Sequence, residues 1–220
     1  MTTPASRLAA VRDGIAKAAR LARREPGEVT LIAVSKTRSE AEIEALIAAG
    51  QRDFGENRVQ EAVGKWPELL ARNPGIRLHC IGRLQSNKAA DAVRLFEVIH
   101  SLDRPSLLDA LVAEGYKAGR FPAVYVQVNI GDEEQKGGCA IADVGTLVEA
   151  VRASPLPLAG LMAMPPLGVE PAPYFALLAK LARRHGVGGL SMGMSSDYET
   201  AMTIGATHVR VGTALFGERR

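Results

Sequence analysis

The chain has 220 residues, 47% of them hydrophobic and 23% charged, which excludes a disordered or collagen-like polypeptide. Its 20 Arg and 7 Lys against 24 acids leave a net charge of only +3. The longest basic runs are pairs such as Arg23-Arg24 and Arg183-Arg184, with no stripe of charge and interleaved aromatics, so a nucleic-acid surface is not expected.

At ~100–200 residues per domain the length fits one large domain or two small ones. One large domain buries enough surface to stand without disulfide or metal. Cys80 and Cys139 form no CxxC pair and no disulfide framework, so a reducing compartment is expected. Residues 1–24 read as a charged amphipathic helix with Leu8, Val11, Ile15 and Ala22 on one face. That segment has no apolar signal core, and no stretch reaches the ~20 apolar residues of a membrane span. A cytoplasmic protein is expected, and the lack of a long exposed apolar helix makes a monomer the expected state.

Short β-branched runs then recur with helical patterns between them. Strands are expected at 29–35, 52–54, 78–81, 98–101, 123–130, 158–162, 190–192 and 208–211. Helices are expected at 40–49, 58–71, 88–96, 106–118, 142–153, 172–185 and 197–204, with Trp66-Pro67 ending a surface helix. Ser39 with Glu42, and Ser196 with Glu199, match the S-x-x-E capping box, and Gly50, Gly186 and Gly205 stand where helices should stop. Strict alternation implies a parallel sheet, since parallel neighbours need crossover connections. Eight units at this length fit one (β/α)8 TIM barrel spanning 1–220, plus the N-terminal helix. A doubly wound open sheet is the alternative, but the first strand leads into Ser35-Lys36-Thr37-Arg38 without the glycines that fold uses.

A barrel of this kind carries its site at the C-terminal ends of its strands. Those ends collect Lys36, Asn57, His79, Gly82, Ser101, Asp103, Asn129, Met162, Met164, the run Ser191-Met192-Gly193-Met194-Ser195, and Arg210, Gly212 and Thr213. Lys36 shares a strand face with Ile32 and Val34. It is either a desolvated amine suited to Schiff-base chemistry or a surface lysine paired with a carboxylate such as Glu40. The loops after strands seven and eight, with Ser195, Ser196, Gly212 and Thr213, have the small, hydroxyl-rich make-up of a phosphate cradle. Arg210 shares its face with His208 and Gly212 and is expected at the mouth, where water can solvate it. A guanidinium donates but accepts no proton, so beside a pyridine nitrogen it would keep that nitrogen unprotonated. A phosphate or carboxylate salt bridge is its other reading. His100, His185 and His208 have no metal-ligand spacing and are expected in structural roles, with no metal bound. Asp132-Glu133-Glu134 reads as a solvated loop.

A lysine, a phosphate cradle and an arginine around one mouth suggest pyridoxal phosphate (PLP). The segments Ala33-Val34-Ser35-Lys36-Thr37, Phe54-Gly55-Glu56-Asn57-Arg58-Val59-Gln60-Glu61 and His79-Cys80-Ile81-Gly82-Arg83-Leu84-Gln85-Ser86-Asn87-Lys88 resemble the pyridoxal phosphate homeostasis protein family. So do Gly160-Leu161-Met162-Ala163-Met164-Pro165, Ser191-Met192-Gly193-Met194-Ser195 and Arg210-Val211-Gly212-Thr213-Ala214-Leu215-Phe216-Gly217. The resemblance covers nearly the whole chain in order. It implies the barrel of alanine racemase, a covalent aldimine of the cofactor on Lys36, and the phosphate held by Ser195, Gly212 and Thr213. It further implies Arg210 at the ring nitrogen, Asn57, His79 and Met194 lining the pocket, and Lys136 near the cofactor.

Two activities compete. One is a non-catalytic PLP carrier that buffers the cofactor or delivers it to apo-enzymes; the other is a small racemase-like enzyme. A racemase needs a base on each face of the substrate. In that enzyme class the second base resembles a tyrosine from a further β domain, for which no residues remain after the eighth strand. A third reading, a phosphate-binding isomerase with Lys36 as an electrostatic group, needs no Schiff base.

Overall fold

The structure is a computed structural model and describes residues 3–133 and 135–217. Helix α1 (Pro4–Leu21) precedes eight strands: β1 (Thr30–Val34), β2 (Asp53–Glu56), β3 (Arg77–Cys80), β4 (Val98–Leu102), β5 (Ala123–Gln127), β6 (Leu158–Met162), β7 (Gly189–Met194) and β8 (His208–Val211). All pair in parallel and in sequence order, and β8 closes on β1 to complete the barrel. Helices α2 (Glu40–Ala48), α3 (Val59–Arg72), α4 (Ala89–Leu95), α5 (Pro105–Ala118), α6 (Val144–Arg152), α7 (Ala172–Arg184) and α8 (Tyr198–Thr203) make the crossovers, and α9 (Thr213–Phe216) follows β8. The expected TIM barrel is therefore the fold.

Most boundaries match the sequence pattern, and the departures have local causes. The first helix stops at Leu21, because Arg23 turns into the left-handed region at φ 54°. Ala22 is its cap and only half-buried, while Leu8, Val11, Ile15, Ala18 and Ala19 bury its inner face. The expected start of that helix at Met1 and Thr2 lies outside the described residues. Strand β5 ends at Gln127 instead of 130, because Val128 meets Cys139 of the returning loop in an isolated bridge. The Ser39–Glu42 capping box forms, with Glu42 Oε2 accepting from the Ser39 amide at 2.9 Å. The Ser196–Glu199 box does not. Asp197 caps α8, and its Oδ1 instead accepts the Met194 amide at 2.5 Å.

Trp66 and Pro67 do not end a surface helix. They sit inside α3, and the Trp66 side chain is wholly buried. Proline removes the bond to the carbonyl four residues back. That carbonyl belongs to Val63, which is exposed, so water can satisfy it. The indole packs against Phe54, ring centroids 5.2 Å apart, and its Nε1 donates to Glu56 Oε1 at 2.9 Å.

Helices and strand exteriors share one apolar core, running from Leu8 and Ile15 through Trp66, Phe96 and Phe175 to Phe216. The barrel interior is different. Barrels of this class fill it with layers of branched apolar side chains. Here Asp53, His79, His100, Tyr125, Gln127, Ser191 and Arg210 are buried among few apolar neighbours. Tyr125 stacks on His100 with centroids 4.5 Å apart and ring planes 8° from parallel, and its hydroxyl meets His208 Nδ1 at 2.9 Å. Burial pushes the Tyr125 phenol up to about 12, so it stays protonated. Burial also brings His208 down to about 4 and holds His100 well below the ordinary imidazole value.

Two outcomes follow from this interior and its shell. Trp66→Ala removes a filled volume and the indole donor to Glu56; a loss of ~3–5 kcal/mol is expected in urea unfolding. Below pH 6.5 the unfolded chain binds protons at His100 and His208 that the barrel excludes. Stability is therefore complete above that pH and falls as the pH drops towards 4. His208→Gln should flatten that slope, as read from urea midpoints at pH 7 and pH 5; an unchanged slope would count against the buried neutral imidazole.

Candidate functional site

Five interior side chains form one hydrogen-bonded chain along the barrel. Asp53 at the start of β2 accepts a bidentate contact from Arg77, with Nε to Oδ1 at 2.8 Å. The same Oδ1 meets His79 Nε2 at 3.0 Å, and His79 Nδ1 meets His100 Nε2 at 3.0 Å. His100 Nδ1 meets Ser191 Oγ at 2.8 Å, and Arg210 Nη1 donates to Ser191 Oγ at 2.6 Å. An arginine cannot accept and a carboxylate cannot donate. Burial keeps His100 neutral, and with a single proton on His79 as well only one direction satisfies every link: Arg210 to Ser191, Ser191 to His100, His100 to His79, His79 to Asp53. Burial alone would raise the Asp53 carboxyl, but the His79 and Arg77 hydrogen bonds hold it below its usual value, so the acceptor end stays ionised.

Arg210 is thereby dry, not solvated at the mouth as its strand parity led us to expect. It is 4% exposed and forms no ion pair among the described residues. Its second contact is Nη2 to the Ala163 carbonyl at 3.1 Å. Burial lowers the guanidinium to about 10, partly offset by Asp197, which leaves it charged at neutral pH. Nε has no protein acceptor, so part of the fork remains available to a ligand at the strand ends.

Lys36 lies on the turn just after β1 and is exposed, not desolvated. The alternative pairing with Glu40 is absent too, since Glu40 binds Arg72. The backbone on either side of Lys36 is clamped. Ser35 Oγ donates to Glu56 Oε1 at 2.7 Å, the Ser35 carbonyl accepts from Lys65 Nζ at 3.0 Å, and the Thr37 amide donates to Glu61 Oε1 at 2.6 Å. Lys65 Nζ also meets Glu56 Oε1 at 2.8 Å, and that carboxylate is wholly buried. Thr37 takes a left-handed φ of 61°, strained for a β-branched residue and sustained by this clamp. Sequence reasoning missed the Glu56–Lys65–Trp66 cluster. The one signal was Glu56 at a strand end, facing a helix that carries Lys65 and Trp66 on adjacent positions.

The candidate cradle lies beside this turn. Strands β1 and β8 are in register, Ile32 opposite Arg210 and Ala33 opposite Val211. A Cβ on Gly212 would stand 3.4 Å from Val34 Cβ, so the loop after β8 lies against the strand that ends at Lys36. The Gly212 amide donates to Ser195 Oγ at 3.3 Å, which ties the loops after β7 and β8 together. Gly193 turns β7 at φ 94°, where a Cβ would come within 2.7 Å of Ala201 Cβ. Thr213 is exposed at the start of α9 and Met194 half-buried at the end of β7. Lys36, Met194, Ser195, Arg210, Gly212 and Thr213 thus gather on the adjoining ends of β7, β8 and β1.

Asn57 stands on the loop after β2, its Oδ1 buried and without a partner. His79 belongs to the interior chain, one layer below the mouth. Lys136 donates to the Pro165 carbonyl at 3.1 Å and pairs with Glu133, joining the loops after β5 and β6. Glu133 is therefore not part of a freely solvated loop; Glu134 lies outside the described residues. The buried thiols of Cys80 and Cys139 are free, and burial pushes both up to about 12, so neither is a nucleophile near neutrality. Among the described residues no His/Cys/Asp/Glu group is arranged for a metal ion, and no helix is long and apolar enough to cross a membrane.

Residues 7–220 match the model of the alanine racemase N-terminal domain. The pyridoxal phosphate homeostasis protein of Pseudomonas aeruginosa is 46% identical over 226 residues, covering 100% of this chain and 97% of its own. That of Escherichia coli K12 is 40% identical over 233 residues, covering 100% of this chain and 98% of its own. Among solved structures, PipY of Synechococcus elongatus, determined with PLP bound, is 40% identical with a TM-score of 0.81, covering 92% of this chain and 100% of its own. An alanine racemase of Clostridium difficile shares the fold alone, at 13% identity and a TM-score of 0.73 over 94% of this chain and 55% of its own. On a full-length barrel and relatives of this closeness, the chain belongs to the pyridoxal phosphate homeostasis protein family.

Proposed function

We propose that the chain, as a single barrel domain, binds PLP covalently through a Schiff base to Lys36 and serves as a non-catalytic carrier in cytoplasmic PLP homeostasis. The observation that carries this reading is the convergence of an exposed amine on a clamped turn, a Ser195–Gly212 cradle and a buried charged arginine on three adjoining strand ends. PipY, a 40% identical relative, binds PLP, and the residues here fit the same group.

PLP supplies an aldehyde that condenses with an amine and a pyridine ring that can act as an electron sink. The rest is the work of this chain. Ser195, Gly212 and Thr213 would hold the phosphate, and Asn57 and Met194 would line the ring. Arg210 would meet the ring nitrogen and, able only to donate, would leave that nitrogen unprotonated and the sink weak. The Ser191–His100–His79–Asp53 chain holds Arg210 in that orientation, and Lys136 closes the far side of the mouth.

The racemase reading is favoured only by the shared fold. A racemase also needs a second base, and two of the four tyrosines have their hydroxyls engaged by other residues. The Tyr125 hydroxyl binds His208, that of Tyr198 binds Glu199, Tyr116 packs edge-on to Phe121, and Tyr174 packs against the core. The carrier is assigned as a monomer that passes PLP to apo-enzymes.

Purified protein incubated with PLP should absorb in the visible range. Borohydride should then fix one pyridoxyl group per chain on the peptide containing Lys36, and Lys36→Ala should abolish both. Amino-acid racemisation should stay below about one turnover per second. Fixation on another lysine would overturn the site, and faster turnover would overturn the carrier.

A further inference from the structure

Beyond the Lys36 mouth, a cavity of about 740 Å³ opens between the loop after β2 and the loop after β3. Arg58, Arg83, Lys88 and Arg104 all line it, and no acidic residue does. Arg104 is matched by Asp103 at 2.5 Å and anchored to the Leu84 carbonyl and Ser86 Oγ. The side chains of Arg58, Arg83 and Lys88 form no ion pair or hydrogen bond among the described residues. Three uncompensated cations around one concavity repel each other and focus a positive potential into it. Helix α3 also begins here, with Arg58 at its N-cap and no capping side chain, and its first residues Val59 and Gln60 line the same cavity. The Asn57 side chain, on the same rim, makes no protein hydrogen bond, and its Oδ1 is buried.

We propose that this cavity is a second anion site, which takes a phosphorylated small molecule of up to nucleotide size. Its volume lies within the range of small-molecule pockets, ~300–1,000 Å³. Its donors, two free guanidinium groups, an ammonium and a helix start, match a phosphate monoester or diphosphate. Arg104, already neutralised, acts as a wall that fixes the β3 loop, while Arg58, Arg83 and Lys88 bind the ligand. The site shares no residue with the Ser195–Gly212 cradle; Asn57 on its rim is common to the proposed PLP pocket, so the binding test is read on Arg83 and Lys88.

The test is calorimetric titration of inorganic pyrophosphate into protein whose mouth has been filled with PLP and fixed by borohydride. Saturable binding is expected. Arg83→Gln and Lys88→Gln should each weaken it about tenfold or more, as expected for loss of a charge-assisted contact. The pyridoxyl content should not change. A parallel titration of the unfilled protein and its Ser195→Ala variant locates the anion if PLP does not load. Loss of binding in Ser195→Ala, with Arg83→Gln unaffected, would overturn the proposal. So would absence of saturable binding in the parent.

Discussion

The structure turns on a guanidinium buried without a carboxylate beside it. Arg210 is charged and dry, and a chain of three side chains links it to Asp53, whose carboxylate is itself paired with Arg77. Each link is a donor that has only one acceptor to choose. Losing any one strands a buried polar group at ~1–3 kcal/mol. That requirement accounts for the unusual barrel filling. Where other barrels pack branched aliphatics, this one needs two imidazoles, a hydroxyl and a carboxylate in consecutive contact. The aromatic faces of Tyr125 and His208 wall off the chain from one side.

The other half of the site is set by the Glu56 carboxylate, which gathers Ser35, Lys65 and Trp66 around a single oxygen. That contact pins the β1 turn from below, while Glu61 pins it from the flank through the Thr37 amide. Lys36 is left as the free arm of a rigid turn, beside the loop that carries Gly212. Two buried carboxylates, Asp53 and Glu56, thus start on the same short strand and serve opposite ends of one function. One ends the chain that orients the Arg210 guanidinium, and the other pins the turn that carries Lys36.

Much of this was legible before any coordinates. Alternation, β-branched runs and glycine stops gave the barrel and nearly all of its elements, because local patterning and tertiary packing agree there. Period-two parity correctly put His208, Arg210 and Gly212 on one face and Lys36 at the end of its strand. Parity could not say whether that face is wet. The solvent around Arg210 depends on the shear that brings Ser191 of β7 and His100 of β4 to adjacent heights across the barrel. Trp66 looked like a surface residue because Pro67 follows it, yet the missing backbone bond falls on exposed Val63. Ser196 looked like a cap, but Asp197 is one residue closer and carries the charge that a helix start favours. In each case the missing information was which distant side chain arrives, a matter of register and not of local sequence.

The forced direction of the Arg210–Asp53 chain is open to direct observation. Nitrogen-15 NMR of imidazole-labelled protein at pH 7 reports which ring nitrogen of each histidine carries its proton. Both His79 and His100 should be neutral with the proton on Nε2. A proton on Nδ1 of either ring, or an imidazolium at either position, would contradict the chain and with it the account of how Arg210 is held.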